Sequence, residues 1–262
     1  MGTRHRVAPL VALATVLFAA PAHAADARIY DVSLGLDGAV IAAGAIGGLI
    51  PYVLANDLIE PRCPCNRDEV NGFDRWVIGN HSETADIVST VTAALAVAGP
   101  LLLDGLDAGS FEAWWPDALV LVEALALTSA LTSITKVVVQ RPLPRVYAGD
   151  PDLIGRARGY RSFFSGHTAI TFAALSTAAY TYTLRHGPAV WLWLVVAGVG
   201  VSVAAERLAA GLHFPTDVLV GAAVGTAVGI LVPALHRRAE AERATGLMLT
   251  PAPGGLGLTL RF

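Results

Sequence analysis

Between residues 26 and 243, five long stretches contain no Asp, Glu, Lys or Arg: residues 38–56, 87–103, 167–184, 187–205 and 218–235. A sixth, about 117–139, is apolar apart from Asp117, Glu123 and Lys136. Each uncharged run is 17–19 residues long, at the low edge of the roughly 17–25 residues that cross a bilayer as a helix. The runs are rich in Ala, Gly, Ser and Thr, small residues that let helices approach closely, in lipid or in a non-spanning bundle. Hydrophobic residues make up 54% and charged residues 15%, against about 25% charged in soluble domains. The expected fold class is therefore all-α: a helical bundle of five to six apolar helices, embedded in a membrane. A net charge of −3 offers no basic surface for a polyanion, which argues against nucleic-acid binding.

The organisation around these helices follows from composition. Arg4 and Arg6, then the apolar Ala8–Ala20 and the small-residue pattern Ala22-His23-Ala24, read as a secretory signal over 1–24. An uncleaved anchor helix is the alternative. Either sends the chain to the cell envelope. Residues 25–83 form an N-terminal helix and polar loop, 84–236 the main bundle, and 237–262 a basic tail. In that tail Leu247, Leu249, Leu256, Leu258, Leu260 and Phe262 alternate around a Pro-Ala-Pro-Gly-Gly turn, the pattern of a short β-hairpin. Cys63 and Cys65 are separated only by Pro64; a bridge that short is expected to be strained, and two thiols do not close a zinc site. Three polar stretches, 57–83, 140–162 and 206–217, fall on one side if the helices cross in turn. The positive-inside rule is mixed, because the basic tail and the acidic 104–117 loop share a side. The expectation is an inner-membrane protein whose polar loops face the periplasm, with a soluble periplasmic form as alternative.

Three short segments carry chemistry. In the first, Arg207-Leu-Ala-Ala-Gly-Leu-His213-Phe-Pro-Thr-Asp217, Pro215 suits the first turn of a helix. His213 then sits just before that helix, and Asp217, four residues on, can meet it. A carboxylate on one imidazole nitrogen sets the tautomer and leaves the other as a nucleophile. In the second, Ser162-Phe-Phe-Ser165-Gly166-His167-Thr168, Ser165 is placed to cap a helix whose N-terminal amides suit a phosphate. His167, in its first turn, could protonate a leaving alkoxide. In the third, Lys136-Val-Val-Val-Gln-Arg141-Pro-Leu-Pro-Arg145, a cation ends an apolar helix and two arginines follow in a Pro-stiffened turn, a fork for phosphate oxygens. Singly, each segment is more often an ordinary helix end. Together they describe a phosphate pocket.

The three segments resemble the motifs of the type 2 phosphatidic acid phosphatase superfamily: Lys-x6-Arg-Pro, Pro-Ser-Gly-His, and Ser-Arg-x5-His-x3-Asp. This chain has Lys136…Pro144, Phe164-Ser165-Gly166-His167 and Glu206-Arg207-x5-His213-x3-Asp217, in the same order and spacing over about 84–236. The resemblance implies that His213 is the nucleophile, Asp217 its orienter and His167 the general acid. Lys136, Arg207, Ser165 and the Gly166 amide would hold phosphate oxygens, with no metal and no cofactor. It also implies a phosphomonoester or pyrophosphate as substrate, here a phosphorylated lipid. Three departures stand out. Leu143 occupies the position of the first-motif Arg, so that its role falls to Arg141 or Arg145 or is lost. Phe164 replaces a Pro. Glu206 replaces a Ser, and its carboxylate would repel an anionic substrate if it faced the pocket. A vanadium-dependent haloperoxidase and a non-catalytic membrane relative are the rival readings.

Overall fold

The computed structural model describes residues 28–63, 65–238, 246–252 and 255–261; the signal sequence expected over 1–24 lies outside the described residues. Six long helices carry the fold: α1 (Leu36–Val53), α4 (Glu83–Asp107), α5 (Phe111–Val139), α7 (Gly166–His186), α8 (Val190–Ala209) and α9 (Pro215–His236). Three single-turn helices, α2 (Ala55–Leu58), α3 (Gly72–Arg75) and α6 (Pro144–Tyr147), sit in the polar connections. Two C-terminal strands, Gly246–Ala252 and Gly255–Arg261, pair antiparallel, Leu249 opposite Leu258.

Local sequence sets the helix ends. The hydroxyls of Ser82 and Ser110 accept from the Ala85 and Ala113 amides and start α4 and α5. Pro144 and Pro215 occupy first-turn positions of α6 and α9. Gly211, at φ +68°, turns the chain out of α8, and a Cβ there would lie 1.9 Å from the Asn80 carbonyl oxygen. Only glycine fits both demands.

The distribution of side chains is inverted relative to a water-soluble bundle. The centre is filled by Ala, Gly, Ser and Thr, with Thr128, Thr168 and Thr171 fully buried. Leu106, Val138, Leu194 and Leu235 stand outside, Leu235 at 83% exposure. So large an apolar exterior has no stable place in water. Small residues inside and branched aliphatics outside suit helices that associate in lipid, where tight backbone contact replaces the hydrophobic drive. Among the described residues five helices, α1, α4, α5, α8 and α9, are long and apolar enough to cross a membrane. The helix of the uncharged run 167–184, α7, does not reach that apolarity; it forms the centre of the bundle, packed against α4, α5, α8 and α9. Its closest partner is α9, where Gly221, Gly225 and Gly229 face the α7 backbone; a Cβ on Gly225 would lie 2.2 Å from the Ala169 oxygen.

The cysteines correct an expectation. Cys63 and Cys65 form a disulfide, their Cα atoms 4.6 Å apart. That separation lies inside the usual range for bridged cysteines, so one intervening residue does not prevent the bond.

Candidate active site

The polar stretches meet at one end of the bundle. Asn80 donates from its side chain to the Leu208 carbonyl at 3.0 Å, and the Ser162 amide donates to the Arg141 carbonyl at 3.0 Å. The Arg145 amide donates to the Gly211 carbonyl at 3.3 Å. They enclose a cavity of about 820 Å³ whose charged lining is Lys136, Arg158, Arg161, His167, Arg207 and His213. Its apolar side is Ala93, Ala94 and Val97 of α4 with Ile170 of α7.

His213 ends the turn before α9 and is 4% exposed. Its Nδ1 lies 2.7 Å from the Ser162 carbonyl oxygen. A carbonyl only accepts, so Nδ1 carries the proton and Nε2 holds the lone pair. Burial pushes the His213 pKa down to about 3; the Asp217 carboxylate pulls it upward, and nearby Lys136 and Arg207 favour the neutral ring. This arrangement corrects the expected role of Asp217, whose Oδ2 is 3.7 Å from Nδ1, too far for a hydrogen bond. Both Asp217 oxygens are already engaged. Oδ2 accepts from the Phe214 amide at 2.8 Å and from the Ser162 hydroxyl, and Oδ1 from Arg141 at 2.6 Å. Asp217 therefore positions Ser162, and the Ser162 carbonyl orients the imidazole.

Arg141 and Arg145 do not line the cavity, contrary to the expectation that one of them takes the place of the first-motif arginine. Arg141 is consumed by Asp217, by the Thr216 hydroxyl at 2.8 Å and by Asp74 at 2.8 Å, and its guanidinium stacks 4.1 Å over Phe214. Arg145 pairs with Asp150 at 2.6 Å. Leu143 does face the cavity, and the cations beside it come from further along the loop, Arg158 and Arg161. Arg161 stacks 4.7 Å over Tyr52, and its carbonyl accepts from the Lys136 ammonium. Partial burial holds the Arg161 pKa below the usual guanidinium value. Neither arginine was singled out from sequence; both lay among five in one basic stretch with no spacing rule to separate them.

Two further residues were invisible in sequence. Asp74 of α3, wholly buried, accepts from Arg141, from the Thr216 amide at 3.0 Å and from the Thr216 hydroxyl at 2.7 Å. Burial would raise its pKa, but these hydrogen bonds outweigh it and hold the carboxyl below its ordinary value. Asp86 of α4 pairs with Arg207, which the Ser89 hydroxyl also meets at 3.2 Å. The Arg207 Nε, buried beside the cavity, has no hydrogen-bond partner among the described residues.

The second motif is only partly turned to the cavity. Gly166 and His167 line it, and the His167 Nε2 meets the Thr90 hydroxyl at 3.2 Å. Ser165 is fully buried, with its hydroxyl on that of Thr168 at 2.9 Å. It stands at the N-cap position of α7 without capping through its side chain, so the expected contact from Ser165 to phosphate is replaced by a packing role. Glu206 does not line the cavity; its Oε1 accepts from Ser202 at 3.1 Å, which removes the expected repulsion.

A family model described as the PAP2 superfamily matches residues 117–241, the span that holds all three motifs. No curated protein matches the chain. Among solved structures the chain is similar to Aquifex aeolicus LpxE, at 28% identity and TM-score 0.44 over 60% of this chain and 90% of that one. It is also similar to a transmembrane PAP2 type phosphatidylglycerolphosphate phosphatase from Bacillus subtilis, at 18% identity and TM-score 0.46 over 77% of this chain and 92% of that one. By its three motifs and by the match over residues 117–241, this part of the chain is similar to the PAP2 superfamily.

Proposed function

We propose that this protein is a phosphatase that hydrolyses a phosphomonoester or pyrophosphate of a lipid through a phosphohistidine on His213. The observation that carries the reading is the His213 tautomer: Nδ1–H is committed to the Ser162 carbonyl on a ring that lines the cavity, so Nε2 is the nitrogen left with a lone pair.

In the first step the Nε2 lone pair attacks phosphorus, the P–O bond to the leaving group breaks, and His167 gives the departing oxygen a proton. In the second, water attacks the phosphohistidine, His167 takes its proton, the P–N bond breaks and inorganic phosphate leaves. Neither step needs a metal or cofactor. Charge on the transferring group is met by Lys136, Arg161 and Arg207 and by the amides that open α7. The Arg207 Nε, a desolvated donor with no hydrogen-bond partner among the described residues, suits a phosphate oxygen.

The lipid part of the reading rests on cavity shape. Beyond the cations, the space runs between Ala93, Ala94 and Val97 of α4 and Ser129 and Ser133 of α5, along Ile170. That stretch of the cavity is mostly apolar and suits a hydrocarbon chain. The membrane would be the inner membrane, with the site toward the periplasm.

The test is phosphate release by purified protein in EDTA, wild type beside His213→Ala, with phosphatidate and isoprenyl diphosphate as substrates. Release by wild type alone is expected. No release from either substrate, or equal release by both proteins, overturns the mechanism.

A further inference from the structure

At the end of the bundle opposite the cavity, three ionisable side chains from three helices converge: Asp37 in the first turn of α1, Glu123 of α5 and His236 in the last turn of α9. The 22 residues of α9 separate them from His213 by about 30 Å at ~1.5 Å per residue. The proposed phosphatase chemistry uses none of them.

Their hydrogen bonds leave three acceptors facing one another. The His236 Nδ1 lies 2.8 Å from the Val232 carbonyl oxygen, so Nδ1 carries the proton and Nε2 the lone pair. Nε2 points at Asp37 Oδ1, 3.4 Å away, and at Glu123 Oε2, 3.3 Å away. The other Asp37 oxygen is held by the Ser33 amide at 2.6 Å. Glu123 is 6% exposed, and its Oε2 has no hydrogen-bond partner among the described residues. Two buried carboxylate oxygens and an imidazole lone pair at such distances repel unless something positive lies between them. A second proton on His236 supplies one donor for two carboxylates and leaves a negative charge buried. A divalent cation satisfies all three atoms.

The two distances from the His236 Nε2 and the ligand types favour a particular cation. Two ligands bound at about 2.1 Å and subtending a tetrahedral angle lie about 3.4 Å apart, which matches 3.3 and 3.4 Å. Calcium takes six to eight oxygens at longer bonds, and magnesium prefers oxygen ligands; an imidazole with two carboxylates suits zinc. Ligands already oriented by a second hydrogen bond, as His236 and Asp37 are, are the usual support of such a centre. We propose that Asp37, Glu123 and His236 bind one zinc ion, with water as fourth ligand, tying α1 to the α5–α9 pair.

The test uses full-length protein in detergent. Zinc is measured by mass spectrometry after stripping and reloading, and thermal midpoints are recorded with and without zinc. Wild type is expected to hold one zinc per chain and to melt higher when loaded, whereas Glu123→Gln and Asp37→Asn lose at least tenfold in affinity and show no shift. Zinc-edge X-ray absorption of loaded wild type covers variants that fail to fold: nitrogen and oxygen scatterers at about 2.0–2.1 Å are expected. Wild type that binds no zinc, variants that bind as wild type does, or sulfur scatterers from Cys63 and Cys65 overturn the proposal. The site is independent of the phosphatase reading, since His213→Ala leaves zinc binding intact.

Discussion

Replacing Asp74 tests whether the catalytic end is held together from outside the motifs. Asp74 is fully buried and accepts from Arg141, the Thr216 amide, the Thr216 hydroxyl and the Asn71 side chain. The bond from Arg141 is charge-assisted and worth about 1.5–3 kcal/mol, and the Thr216 bonds about 0.5–1.5 kcal/mol each. Arg141 keeps Asp217 after the change, so the terms do not add fully. Asp74→Ala is therefore expected to cost about 3–5 kcal/mol, the range for removing one partner of a buried ion pair. Asp74→Asn keeps the shape but turns an N–H toward a donor, at about 1–3 kcal/mol. Activity falls too, because Asp74 fixes the guanidinium of Arg141 and the start of α9 at Thr216, and Arg141 in turn positions Asp217, which holds Ser162, which orients His213. The sign of the pH dependence follows from the depressed Asp74 pKa. The folded state binds fewer protons than the unfolded chain, so this stabilisation is complete above the unfolded value near 3.9 and is lost as pH falls through the lower folded value. The gap between wild type and Asp74→Asn thus narrows in acid. Denaturant unfolding in detergent micelles at pH 7 and at pH 3, with phosphate release at pH 7, measures all three effects. Unchanged stability and unchanged kcat in Asp74→Ala would refute the reasoning.

His167→Ala is expected to lower kcat by about 10²–10⁴, the usual contribution of a general acid, and to spare a substrate with a leaving group that needs no proton; equal loss on both substrates counts against the role. Arg161→Ala should raise KM or lower kcat/KM by at least about tenfold, the effect of losing one charge-assisted contact. Arg145→Ala should leave KM unchanged, since that arginine faces Asp150; steady-state kinetics on one substrate separates them. Gly225→Leu forces atoms into the Ala169 carbonyl, 2.2 Å from where a Cβ would stand, and is expected to cost more than the about 1–3 kcal/mol of ordinary overpacking. Gly198→Ala, with nothing within 4 Å, should be neutral or stabilising in the same thermal assay.

What could be read from the sequence was written within a helical turn or two. The apolar runs fixed the number and position of the long helices, because helix formation and lipid contact depend on consecutive residues. Pro215, Gly211 and the spacing of His213 and Asp217 placed the turn before α9, because caps and turns are local. Tertiary structure decided the rest. Asp74 and Asp86 reach the catalytic end from elements 67 and 121 residues from the arginines they hold, and no local pattern marks such partners. The choice among five loop arginines depends on which way a folded loop turns, so that Arg141 is spent on Asp74 and Asp217 while Arg158 and Arg161 reach the cavity. The orienter of His213 is a backbone carbonyl, identical at every residue and legible only in space. A sequence specifies which groups are present and what the nearest turn does with them; burial, charge pairing and the aim of a lone pair are set by contacts between distant segments.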